Sequence, residues 1–171
     1  MRKSGAVIAL LSAVLLVLAM VTPAAARNPI GEAWGTVTWV AANWTVPGLS
    51  TFTVRDGSPG QASSRGDRGT YRLSFPDSDR GALTLDVKCV RVDAGWAEFA
   101  GVVTEATGVY VLGEVFRVSV KDGGQPNGGG DEIGMKSHGF DLAAGCATAL
   151  DASQLGRKGI IFAGDITVRL S

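Results

Sequence analysis

LTLDVKCVRVDAGWAEFAGVV, residues Leu83–Val103, reads as two strands folded onto each other. Leu83, Leu85, Val87 and Cys89 alternate with Thr84, Asp86 and Lys88, the two-residue period of a strand with one face buried and the other in water. Asp93-Ala94-Gly95 supplies turn residues, and Gly95 tolerates the positive φ that a tight turn requires. Trp96–Val103 then returns as the second strand. Continuing the alternation to its end places Cys89 on the inward face beside apolar neighbours.

Working toward the N-terminus, Gly69–Phe75 alternates through Tyr71, Leu73 and Phe75, and a polar loop, Asp56–Arg68, precedes it. Leu49–Arg55 and Ala33–Val40 are rich in Thr, Val and aromatics, joined across Asn43–Gly48 with Pro47-Gly48 as the turn signal. Toward the C-terminus, Glu114–Lys121 alternates through Phe116, Val118 and Val120. A Gly-rich tip, Asp122–Asp131, separates it from the short strand Glu132–Lys136. A helical turn is allowed near Ala147–Leu155, and the chain ends with Ile160–Phe162 and Gly164–Leu170 as two further strand pieces. About eight short strands with almost no helical period predict an all-β domain, a small antiparallel β-barrel or β-sandwich with one disulfide. No internal repeat of useful length and no second domain are visible.

The disulfide follows from where the chain goes. Arg2 and Lys3, the apolar run Ala6–Met20 and the small residues Ala24-Ala25-Ala26 read as a cleavable signal peptide over residues 1–26. The apolar core is shorter than the ~20 residues needed to span a bilayer, and no later stretch is long enough. Residues 27–171 then form a single secreted domain, extracellular or in the cell envelope. In an oxidising compartment the only two cysteines, Cys89 and Cys146, are expected to pair. Loss of Arg2 and Lys3 takes the formal net charge from zero to −2, which offers no electrostatic footprint for nucleic acid.

Catalytic motifs are sparse. The single histidine, His138, has no GxSxG motif or cysteine nucleophile for company, and a loop residue is the plainer reading. Asp86, Glu98, Glu105 and Glu114 lie on or near strands, but no spacing selects two of them as a glycosidase pair. No catalytic residue is therefore assigned. Asp122, Asn127 and Asp131 in the Gly-rich tip offer oxygens to a hard cation such as calcium, although the EF-hand spacing fails at Gly124 and Pro126. Arg65-Gly66-Asp67 matches an integrin tripeptide, yet with 24 Gly in the chain about 0.1 matches arise by chance. Asn43-Trp44-Thr45 fits a glycosylation sequon. Trp34, Trp39 and Trp44 are the candidate binding surface, and the odd spacing of the first two puts them on opposite faces of one strand.

Phe52-Thr53-Val54, Val87–Val92 followed by Ala97–Gly101, Phe116–Asp122, Asp131, Cys146 and Gly164–Val168 together resemble a family of uncharacterised exported bacterial β domains, common in actinobacteria. Glu98, within Trp96–Phe99, departs from the plainly aliphatic residues of such domains. The resemblance implies an extracellular module and carries no activity with it. The expected function is thus a non-catalytic binding or interaction module, with an extracellular protein or carbohydrate as partner. A small extracellular hydrolase using strand carboxylates is the alternative, and a structural matrix protein with a free edge strand is a third reading.

Overall fold

The structure is a computed structural model that describes residues 30–41, 44–57, 66–125, 129–137, 142 and 158–171. Eight strands follow one another: β1 (Gly31–Ala41), β2 (Gly48–Asp56), β3 (Arg68–Ser74), β4 (Ala82–Asp93), β5 (Trp96–Ala106), β6 (Val115–Lys121), β7 (Glu132–Ser137) and β8 (Lys158–Leu170). Each pairs antiparallel with the next and β8 pairs with β1, so the sheet closes as a barrel. The signal segment, Asn43, Arg65, Asn127, His138, Cys146 and the Ala147–Leu155 turn lie outside the described residues.

Alternation fills the barrel from every strand. Trp39, Tyr71, Phe99, Leu73, Leu85, Ile133 and Ile166 are all essentially inaccessible to solvent, as expected where inward positions of a small barrel meet at its axis. A polar chain runs through this core. The Trp39 indole donates to Ser50 Oγ at 2.7 Å, Ser50 Oγ lies 2.8 Å from the Tyr71 hydroxyl, and that hydroxyl donates to Met135 Sδ at 3.6 Å. Each buried group has a partner, so Ser50 avoids the cost of an unsatisfied hydroxyl. Burial pushes the Tyr71 phenol well above its ordinary pKa.

Aromatic rings close one end. Trp44 sits 4.4 Å from Trp39 and 4.7 Å from Phe75 between ring centroids, with Phe75 against Tyr110 and Tyr110 against Phe116. The guanidinium of Arg80 covers both Trp44 and Phe75.

The organising hairpin is β4–β5, and Gly95 takes its turn with φ of 74°. The alternation does not run unbroken through it. A β-bulge between Val87 and Cys89 shifts the register, so that Val90 and Val92 continue the inward face. Cys89 is therefore buried opposite Ala100 on the outer wall, not among the core side chains as the simple period implied. The two C-terminal strand pieces are one strand, β8, because Gly164 bends without breaking it.

At the end opposite the aromatic plug, β3 and β7 are short and leave amides of β4 and β8 without a strand neighbour. Aspartates fill both gaps in the same way. Asp67 accepts from the Gly57 and Val90 amides, and Asp56 accepts from Val92. Asp131 accepts from Gly123 and Ile166, and Asp122 accepts from Val168. Asp56-Gly57 ends β2 as Asp122-Gly123 ends β6, and Asp67 precedes β3 as Asp131 precedes β7. The barrel is thus built of two corresponding halves, β1–β4 and β5–β8.

Candidate functional site

The outer wall carries the chemistry, since the axis is filled. Inward and outward residues alternate, so register alone assembles two rows on the wall of β8, β1, β2 and β3. One row is Arg169, Glu32, Arg55 and Arg68, and the next is Thr167, Trp34, Thr53 and Thr70, extended to Asp86 on β4. Glu32, Thr53, Arg55, Arg68, Thr70 and Asp86 line a shallow groove of about 540 Å³, floored by backbone at Val54 and Gly69. A side chain at Gly69 would collide with the Thr53 carbonyl and Val54, each within 3 Å, so glycine lets β3 lie this close to β2.

Arg55 and Arg68 face each other directly across β2 and β3. Like charges in that position repel and disfavour strand pairing. No ion pair or side-chain hydrogen bond among the described residues engages either guanidinium. The corresponding pair in the other half is Lys121 opposite Glu132, which form a salt bridge at 3.0 Å. Asp86 at the far edge of the groove is paired with Lys88.

The three tryptophans separate. Trp39 is in the core and Trp44 in the aromatic plug, while Trp34 alone stands on the outer wall, with the Arg169 guanidinium 4.3 Å from its ring centroid. Parity predicted the division between Trp34 and Trp39. It held no information on Trp44, which returns over the barrel mouth.

The carboxylates considered for catalysis are dispersed. Glu98 is buried on the outer wall against Arg117, whose guanidinium burial pushes down to about 10; Glu105 accepts from Thr84, and Asp86 is held by Lys88. Asp122 and Asp131 accept backbone amides through all four of their carboxylate oxygens. Among the described residues no group of three or more His, Cys, Asp or Glu is arranged to hold a metal ion. Within the Arg65-Gly66-Asp67 tripeptide, both carboxylate oxygens of Asp67 are likewise taken by backbone amides.

The arginine pair escaped sequence reasoning because Arg55 and Arg68 flank a polar loop and read as loop edges. Their one signal was position: Arg55-Asp56-Gly57 parallels Lys121-Asp122-Gly123, and Asp67-Arg68 parallels Asp131-Glu132. Among the described residues no helix is long and apolar enough to cross a membrane. No protein-family model, no characterised protein and no solved structure matches this chain.

Proposed function

We propose that this protein is an exported, non-catalytic binding module of the cell envelope or extracellular space, and that it binds through the outer wall of β1–β3. The observation that carries this reading is the contrast between a barrel axis packed with side chains and a polar groove of about 540 Å³ on the wall outside it. Enzymes gather converging polar groups in a concave, water-excluding site. Here Asp86, Glu98 and Glu105 each have a separate partner, and Glu32, Thr53, Arg55, Arg68, Thr70 and Asp86 share one shallow strip. The signal-like start of the chain and its resemblance to exported β domains support the location.

The same reading takes Cys89 and Cys146 as a disulfide. Cys89 is already buried on the outer wall, so a bridge there fixes the β7–β8 connection against β4.

Co-sedimentation of the exported protein with insoluble cell-wall material, with soluble sugar measured in the supernatant, tests the function. Retention on the wall without release of sugar is expected. Steady release of soluble products, or no retention, would overturn the reading.

A further inference from the structure

We propose that Arg55 and Arg68 form the anion-recognising centre of the groove, and that its ligand is an acidic saccharide, a sugar bearing a carboxylate or phosphate group. This inference rests on the binding-module reading and gives it a ligand class.

The comparison within the molecule leads to it. Both halves bring two long charged side chains face to face at the same place, beside the same Asp-Gly turn. In the second half Lys121 and Glu132 neutralise each other. In the first half the matching positions hold two guanidinium groups that make no ion pair or side-chain hydrogen bond among the described residues. A directly opposed Arg pair weakens the sheet locally, and an oxyanion placed between the two forks removes that repulsion while accepting charge-assisted hydrogen bonds from both.

The rest of the lining selects among anions. Glu32 and Asp86 flank the pair, so the groove as a whole carries as many acids as arginines. Such a balance gives a densely charged polyanion such as a nucleic acid backbone little net attraction, and it suits a ligand with one localised charge among neutral polar groups. Exposed Thr53 and Thr70, opposite one another in the adjacent row, present hydroxyls that donate and accept. Glu32 and Asp86 are acceptors for sugar hydroxyls, and Trp34 in the same row as the threonines adds an apolar ring edge. A charged substituent on a hydroxyl-rich ring satisfies all of these at once.

Titration of the exported protein with trigalacturonate, mannose 6-phosphate and uncharged galactotriose, followed through the backbone amide resonances, tests the proposal. At least one acidic probe is expected to shift Thr53 and Thr70 and to bind at least tenfold more tightly than galactotriose. The response of one acidic probe and not the other distinguishes a uronate from a phosphorylated sugar. Arg55→Ala with Arg68→Ala should lower that affinity at least tenfold. Arg55→Lys with Arg68→Lys should fall between, because charge persists while the planar forks are lost. Equal affinity for galactotriose, unchanged affinity in the double alanine variant, or shifts confined to the Trp44 end would each overturn the anion site. If no acidic probe binds while the double alanine variant still sediments with wall material, the ligand class fails and the binding module stands. If wall binding is absent as well, both readings fail together.

Discussion

Asp56 and Asp67 hold amides of β4, and Asp122 and Asp131 hold the matching amides of β8, with Gly57 donating to Asp67 as Gly123 does to Asp131, yet the two halves differ on their outer walls. β3 pairs with β4 from Gly69↔Val87 to Ser74↔Ala82, and among the described residues β7 pairs with β8 at Ile133↔Gly159 and Gly134↔Lys158, so each ladder begins two residues past its aspartate. The second half has a neutralised Lys121–Glu132 pair, and the first sets two arginines face to face. Carboxylates cap backbone amides in both halves, and the facing like charges stand only in the first of these two corresponding pairs.

The largest expected break in the correspondence is covalent. Cys89 stands where the second half has Asp165, so a bridge to Cys146 has no counterpart. Cys146→Ser should destabilise the oxidised protein by roughly 4 kcal/mol in the chain-entropy picture of a loop of this length. Urea unfolding with and without reductant checks this. Wild type should lose stability on reduction, and the variant should already sit at the reduced value.

The aspartates come next. Asp131→Ala strands two amides and should cost about 3 kcal/mol, against about 1.5 kcal/mol for Asp67→Ala, whose carboxyl is less buried. Equal losses in urea titrations would mean that burial of the carboxyl has no bearing on the clamp.

Asp67 also gives the first half a pH response. Burial holds its carboxyl above the ordinary range, a rise only partly offset by the Val90 and Gly57 amides. The folded state thus keeps this proton at pH values where the unfolded chain has released it. Its contribution to stability is complete below the unfolded value and declines as pH rises through the folded one. The stability of Asp67→Asn should lack that decline as pH rises above the ordinary carboxylate range, as equilibrium melts at a series of pH values would show.

How much of this was legible depends on the range of the interaction responsible. Strand positions follow from alternation, a local property, and Trp34 and Trp39 were separated by parity alone. Cys89 was misplaced because a bulge adds one residue at Lys88, and nothing in VKCVRV distinguishes a bulge from an unbroken strand. Closure into a barrel rests on β1 pairing with β8 across most of the chain, which no local pattern encodes. The likeness of the halves is carried by FTVRDG and VSVKDG and two later aspartates, too short to register as a repeat until their hydrogen bonds coincide. The groove depends on that coincidence, since Arg55 and Arg68 acquire meaning only when paired across strands and set beside Lys121 and Glu132.

The smallest effect separates these alternatives most finely. Arg68→Glu gives the β2–β3 pair the opposite charges that Lys121 and Glu132 have across β6 and β7, while Glu32 still faces Arg55 from β1. An exposed cross-strand ion pair contributes about 0.5 kcal/mol, and removal of the facing like charges adds to it. The variant should therefore be slightly more stable than wild type at low salt, with the gain shrinking as salt screens it. It should at the same time lose the acidic probe that binds wild type. A gain in stability accompanied by loss of binding is what a site held against the local preference of the sheet produces. Stability without loss of binding would instead make the two arginines an accident of the wall, and the correspondence of the halves would then end at their aspartates.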